Sequence, residues 1–395
     1  MPEKWVLRQY QSLPLNAKHS MTLARIREWY EHWNGDVYVC FSGGKDSTVL
    51  AHIVHEYYPE VPLVFVNTGL EYPEIQQFAR KMGAVFLRPK MQFSEVISTY
   101  GYPLISKENA EAIYYARRIR NSHAEKTVQN KRRQLNNDYG EEQPSKETDR
   151  RRTQLNLRRE SLQGGVSFSR GASMFNKGKW LPLCQETQFM ISHMCCSVMK
   201  KSPMGIYQRK EKLLPFLGTL AEESRLREQA WVRKGCNSFE GSKKSSQPMS
   251  FWLEQDVLRY IYENSLEIAE VYGDIVAVGE DGFEYTPSPF NCDKLKCSGC
   301  QRTGCVFCGF GAHLDKGETR FQRLARTHPK QYEYCVRGGQ WVDNPEYDPT
   351  APKIDGDWQN WNPKKIWVPS KEGLGMKKVF DDLNQIYGKD FIKYD

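Results

Sequence analysis

Three groups of residues have the types and spacing that chemistry asks for. The first is Ser42-Gly43-Gly44-Lys45-Asp46-Ser47, which follows the apolar run Val37 to Phe41. A strand that ends in glycines and opens a helix aims several backbone N–H groups at one point, and the helix start adds partial positive charge. The glycines permit positive φ and close approach of a ligand. Lys45 adds a point charge, and Ser42 and Ser47 add hydroxyls. Asp46 can cap the helix or help to hold Mg2+. A glycine-rich turn with a solvated lysine is the bland alternative. The spacing is neither Gly-x4-Gly-Lys-Ser/Thr nor Gly-x-Gly-x-x-Gly.

Cysteines form the second group. The chain has 11, with Cys195 and Cys196 adjacent and Cys292, Cys297, Cys300, Cys305 and Cys308 within seventeen residues. Cys297-x-x-Cys300 and Cys305-x-x-Cys308 have the spacing of a compact Zn2+ site with four thiolates. That arrangement leaves Cys195 and Cys196 idle. The third group is basic: Lys131-Arg132-Arg133, Arg150-Arg151-Arg152 and Arg158-Arg159. Between Arg117 and Lys179 there are 16 Lys and Arg against 7 Asp and Glu, a local balance of +9 in a chain of net +8. An excess this single-signed predicts contact with a nucleic-acid backbone, a solvated face being the alternative.

The elements that must position these groups alternate. Met21 to Trp33 has helical spacing, Val37 to Phe41 is a strand, and Val49 to Tyr57 is helical again. Pro62 to Val66 is a second strand, whose end Asn67-Thr68-Gly69 turns into a helix running through Met82. Gly83 to Leu87 is a third strand. This alternation predicts an α/β fold with a parallel, doubly wound sheet, with ligand groups at the carboxyl ends of its strands. Four regions are expected: 1–116, the basic insertion 117–180, 181–290, and a Cys- and Trp-containing region 291–395. Charged residues make up 26% of the chain and no apolar run is long enough to span a bilayer, so no membrane partner is expected. Eleven cysteines without an apolar leader are expected to serve as ligands or catalytic thiols in the cytoplasm.

Ser42 to Ser47 resembles the PP-loop of the adenine-nucleotide α-hydrolase superfamily, which contains ATP pyrophosphatases and the PAPS and APS reductases. The resemblance implies a Rossmann-like PP-loop (HUP) sheet that binds ATP with Mg2+. It also places Asn67-Thr68-Gly69 beside the adenosine, in the position of an Asp-Thr-Gly turn. Cys195-Cys196 followed by Lys200 and Pro203, with the distant Gly304-Cys305-x-x-Cys308, resembles the reductases' four ligands of a [4Fe-4S] cluster. The resemblance then leaves Cys297 and Cys300 as a redox or sulfur-carrying pair. Leu217 to Arg225 resembles the family's Gly-x-Arg-x-x-Glu-Ser element, with Leu220 in place of the arginine, Arg225 expected among the nucleotide-binding residues and Arg227 nearby. Trp252 to Ile261 resembles its Trp-x-x-x-Asp-Val helix. The likeness covers roughly 35–90 and 190–310.

Together these features imply adenylating chemistry. ATP is split between its α and β phosphates, Lys45 and Asp46 act on the phosphates, and a nucleic-acid oxygen is activated for replacement by sulfur. The likeness to DNA phosphorothioation ATPases favours DNA, with tRNA as the other acceptor and a cysteine desulfurase or other sulfur donor as partner. A PAPS or APS reductase releasing sulfite is the alternative. Its Glu-Cys-Gly-Leu-His motif is missing, since the last cysteine, Cys335, lies about sixty residues from the end. A third alternative is a nucleic-acid-binding module that keeps a nucleotide without turning it over.

Overall fold

The computed structural model describes residues 3–120, 166–167, 171–172, 178–241, 243–288, 294–350 and 361–395. Cys292 and all eight basic residues named above, Lys131 to Arg159, lie outside the described residues. The chain forms two compact units, each made of two separate stretches: Met1–Lys90 with Met199–Cys305, and Met91–Val198 with Val306–Asp395.

The first unit holds the α/β sheet. Strand β1 (Val37–Phe41) is buried at Val37, Tyr38, Val39 and Phe41. Such a strand reads as a continuous apolar run because both faces are covered. It pairs in parallel with β2 (Leu63–Val66), Val39 opposite Leu63, and on its other edge with Leu214–Leu217, Val37 opposite Leu214. β3 (Val85–Leu87) extends the sheet beyond β2. Among the described residues the order is β3, β2, β1, Leu214–Leu217, Ser245–Ser246 and Asn237–Ser238, and only the last strand is antiparallel. This is the Rossmann-like parallel sheet expected from the sequence. The order reverses direction at β1, so a crevice forms at its carboxyl end, where such sheets take their ligands.

Helices α1 (Lys4–Gln11), α2 (Leu15–His32) and α3 (Lys45–His55) belong to this unit. α2 begins earlier than apolar spacing suggested, directly behind Pro14, whose fixed φ suits a helix entry. Two polar ties, one fully buried, join α2 to the segment around helix Glu254–Glu263. Trp252 Nε1 donates to Thr22 Oγ1 at 2.9 Å, and Lys18 Nζ lies 2.6 Å from Asp256 Oδ2. The Trp252-x-x-x-Asp256 pattern therefore works as a bracket, and it sets where Glu254 stands.

In the second unit, the segment Tyr102–Ile105 is the organiser. Tyr102 bridges in parallel to Ile191, and Leu104–Ile105 pairs in parallel with Gly309–Phe310. Gly101, at φ +112°, sits where a Cβ would come within 2.4 Å of the Met190 carbonyl carbon, so glycine alone fits. Arg117 was counted with the basic insertion, yet it is buried here, 5% exposed. Its guanidinium donates to Phe189 O at 2.8 Å, and also to Leu183 O and Thr187 Oγ1. It stacks over the Trp361 ring at 4.2 Å, while Trp361 Nε1 donates to Thr187 O at 2.6 Å. Burial pulls its pKa down to about 10, so it stays charged at neutral pH.

Arg117→Ala strands those acceptors and removes a desolvated cation–π contact, which together cost roughly 3 kcal/mol. The expected result is a melting point lowered by roughly 6–12 °C. Wild-type melting of the variant would show that the clasp contributes nothing.

Candidate active site

β1 delivers the chain into Ser42, and α3 starts at Lys45 with Gly44 as its N-cap, in extended backbone. Gly43 turns the chain at φ +68°, where a Cβ would meet Ile75 Cγ2 at 2.7 Å. The turn is tied internally. Ser42 Oγ and Ser47 Oγ are 3.0 Å apart, Gly44 N donates to Ser42 Oγ at 3.3 Å, and Ser47 Oγ donates to Gly44 O at 2.9 Å. Behind it α3 buries Val49, Leu50, Ala51, Ile53 and Val54, which anchors the cradle on a rigid element. Just past the neighbouring strand Leu214–Leu217, Gly218 comes so close that a Cβ would lie 3.0 Å from Asp46 O. The glycine of the Leu217-Gly218-Thr219 element thus makes room for the start of α3.

Lys45 is 5% exposed, and its Nζ lies 2.8 Å from Glu254 Oε1 and 3.4 Å from Gln301 O. Burial works against its charge, but Asp46 and Glu254 outweigh burial and hold its pKa above the ordinary lysine range. Burial pushes the Asp46 carboxyl above its usual range, with Lys45 the main opposing influence. Asp46 Oδ1 is buried without a hydrogen-bond partner. An orphaned carboxylate oxygen beside a phosphate cradle fits Mg2+, a hard cation that takes oxygen ligands and keeps waters and phosphate in its remaining positions.

At the end of β2, Asn67 Oδ1 accepts from Gly69 N at 3.0 Å, and Thr68 is held by the buried Glu71 through N at 3.0 Å and Oγ1 at 2.7 Å. Asn67-Thr68-Gly69 is therefore a tied turn at the same sheet edge as Ser42. Arg225 is placed elsewhere in the unit. It opens helix Arg225–Lys234 and lines an outer groove with Lys4, Glu228 and Arg233. The arginines whose charge reaches Asp46 are Arg227 and Arg302.

A roof over the cradle had no sequence signal. Tyr272 Oη accepts from Lys45 N at 3.4 Å and sits 2.5 Å from Thr303 Oγ1. A Cβ on Gly44 would be 3.4 Å from Tyr272 Oη and 3.9 Å from Thr303 Oγ1. The loop from Cys297 to Thr303 therefore lies against the Ser42–Ser47 turn within one unit. Cys297 and Cys300 are 1% and 4% exposed. Burial, only partly offset by Lys45, pushes the Cys297 thiol up to about 11. In this conformation it is protonated and shielded, which is a poor state for a nucleophile.

Cys195, buried, and Cys196, half-buried, have their sulfurs 3.9 Å apart. Cys195 comes four residues after Ile191, the bridge partner of Tyr102, and Cys308 directly precedes Gly309, which pairs with Leu104. One segment, Tyr102–Ile105, thus carries both ends of the expected ligand set in the second unit. Cys305 closes the first unit. Among the described residues, no group of three or more His, Cys, Asp or Glu side chains is gathered so as to hold a metal ion. The donor chemistry, soft thiolates, suits iron–sulfur or zinc. No helix among the described residues is long and apolar enough to cross a membrane.

Comparison with known families bears on the first unit most. Residues 36–101 match the family model of the phosphoadenosine phosphosulfate reductase domain. The PP-loop resemblance is supported. The matched stretch runs from just before β1, through the cradle, α3, β2 and the Asn67 turn, to Gly101, and is similar to a domain of nucleotide-utilising enzymes. No curated protein matches the chain.

Proposed function

We propose that the protein is an adenylating ATP pyrophosphatase that activates a nucleic-acid oxygen for replacement by sulfur. The observation that carries this reading is the intact cradle, Ser42 to Ser47 on β1 and α3, with Lys45 buried in it and the Cys297–Cys300 loop folded against it. In the reaction, an acceptor oxygen attacks the α-phosphorus of ATP, the α–β P–O bond breaks, and pyrophosphate leaves. Lys45 neutralises the charge that develops on the leaving group, and Asp46 would hold Mg2+, which would supply further charge neutralisation there. A sulfur nucleophile, supplied by a cysteine desulfurase or another donor, then displaces AMP.

The acceptor proposed is DNA, with tRNA as the other possibility, held by the basic residues from Lys131 to Arg159. Cys195, Cys196, Cys305 and Cys308 are proposed to hold a [4Fe-4S] cluster whose role is to bind the incoming sulfur. Cys297 and Cys300 are proposed as the thiol pair next to the nucleotide, reactive once their loop lifts.

The family match also favours a second reading, sulfonucleotide reduction. Two observations weigh against it. Leu220, where the reductases place a ligand arginine, is 2% exposed and packed. Cys335, the last cysteine, is fully buried with Sγ 3.4 Å from Met376 Sδ, and burial pushes its thiol far up. Incubation of anaerobically purified protein with ATP, with and without DNA or tRNA, separates the readings when AMP and pyrophosphate are resolved by mass. Pyrophosphate release stimulated by one polymer is expected. Sulfite released from PAPS or APS, with ATP left intact, would transfer the protein to the reductase reading.

A further inference from the structure

Three cations in the first unit converge near the cradle, and each is held by a carboxylate. Lys45 pairs with Glu254 at 2.8 Å. Arg227 and Arg302 share Glu223, Arg227 in close contact and Arg302 at 3.9 Å. The Arg227 and Arg302 guanidiniums are near enough to act on each other and on Asp46. Two guanidiniums on one carboxylate repel each other, and a second anion relieves that repulsion.

The two arginines are held differently. Arg227 stands in the first turn of helix Arg225–Lys234, where its N–H donates to the Ser224 cap, and Glu223 is fixed in turn by Leu220 N at 3.3 Å. Arg302 has a 62% exposed side chain and one long ion pair. An exposed pair of that kind is weak, so exchanging it for another anion costs little. Its neighbours Gln301 and Thr303 are the residues that touch Lys45 and roof Gly44. The loop therefore brings Arg302 to the rim of the cradle from its open side, while Lys45 serves the inside.

We propose that Arg302 is a polyphosphate ligand, which with Arg227 grips the phosphates beyond the one seated at Lys45, and so sets the site for a nucleoside triphosphate over a monophosphate. This rests on the proposed use of ATP and adds what selects it. Guanidinium suits the task because its planar fork binds phosphate oxygens in pairs. It also gives the Cys297–Thr303 loop a role in nucleotide binding, since Arg302 ties the loop that carries both thiols to the triphosphate.

The test is calorimetric binding of α,β-methylene ATP, AMP and 3′-phosphoadenosine 5′-phosphate to the full chain. Wild type, Arg302→Ala and Arg302→Lys are compared, with melting curves to confirm folding. A charged hydrogen-bond pair contributes about 1.5–3 kcal/mol, so Arg302→Ala is expected to weaken the triphosphate analogue about 10- to 100-fold. AMP binding is expected to change less than about twofold, and lysine at 302 to restore part of the loss. Unchanged analogue affinity would overturn the proposal, as would equal losses for the analogue and AMP. A larger loss for 3′-phosphoadenosine 5′-phosphate would instead assign Arg302 to a 3′-phosphate. If wild type binds the analogue in an Arg302-dependent way yet releases no pyrophosphate from ATP, the triphosphate grip stands and adenylation fails. Binding of 3′-phosphoadenosine 5′-phosphate alone would sink both.

Discussion

Lys45→Ala is expected to lower pyrophosphate release from ATP by about 100- to 1000-fold. The magnitude is that of removing one preorganised electrostatic contact from a shielded site, about 2.7–4 kcal/mol of barrier. Lys45 is nearly buried, so its charge is poorly screened, and Asp46 and Glu254 keep it protonated. The fold itself should survive, since Glu254 is 37% exposed and can rehydrate. A pH signature accompanies the change. The folded Asp46 carboxyl is already raised by burial, with Lys45 the main influence holding it down. Without Lys45 it rises further. A group raised above its unfolded pKa contributes stability that is complete below the unfolded value and lost as pH rises through the folded one. The variant's stability deficit should therefore be small in acid and grow toward neutral pH. The measurements are pyrophosphate release at saturating ATP and melting at several pH values. Turnover equal to wild type would place the active site somewhere other than this loop.

The difference between what sequence could and could not reveal follows from how far apart the interacting residues lie. β1, the glycine turn and α3 are contiguous, so their apolar run, φ-permissive glycines and capping residues are readable in order. β2 with its Asn67 turn, and β3, repeat the same local logic, and the parallel sheet follows from their alternation. Leu214–Leu217, the strand that completes the crevice, lies on the far side of the second unit's first stretch, so no local period connects it with β1. The Tyr272–Thr303 roof and the Lys45–Glu254 pair join residues more than 200 positions from the loop they cover, and a tyrosine, a threonine and a glutamate have no pattern of their own. Arg225 and Arg227 are two residues apart on one helix, so they point in different directions. Sequence could offer both, and only the backbone distinguishes Arg227, near Asp46, from Arg225 in its outer groove. Arg117 makes the same point in reverse. Its letter counted toward a basic surface, whereas its neighbours in space, Phe189, Thr187 and Trp361, make it an interior clasp.

Cys196→Ser is expected to strip the proposed cluster almost completely, because a serine hydroxyl is a far weaker ligand than thiolate for a soft metal or iron–sulfur site. The iron–sulfur reading draws on Cys195, Cys196, Cys305 and Cys308. The zinc reading draws on Cys297, Cys300, Cys305 and Cys308. Variants at Cys196 and Cys297 therefore separate them, since each belongs to one set alone. We propose the first: the Cys195 and Cys196 sulfurs lie 3.9 Å apart, a few residues from a bridge to Tyr102, and Cys308 is tied to the same segment through Gly309 and Leu104. Iron, sulfide and zinc content of anaerobically purified protein is the measurement, independent of any activity. Iron and sulfide in wild type and in Cys297→Ser, with both lost in Cys196→Ser, is the expected pattern. Zinc in wild type and Cys196→Ser, lost in Cys297→Ser, would give the site to the Cys297–Cys308 set. Cys195 and Cys196 would then be packing residues, and the sulfur would have to be carried by another group.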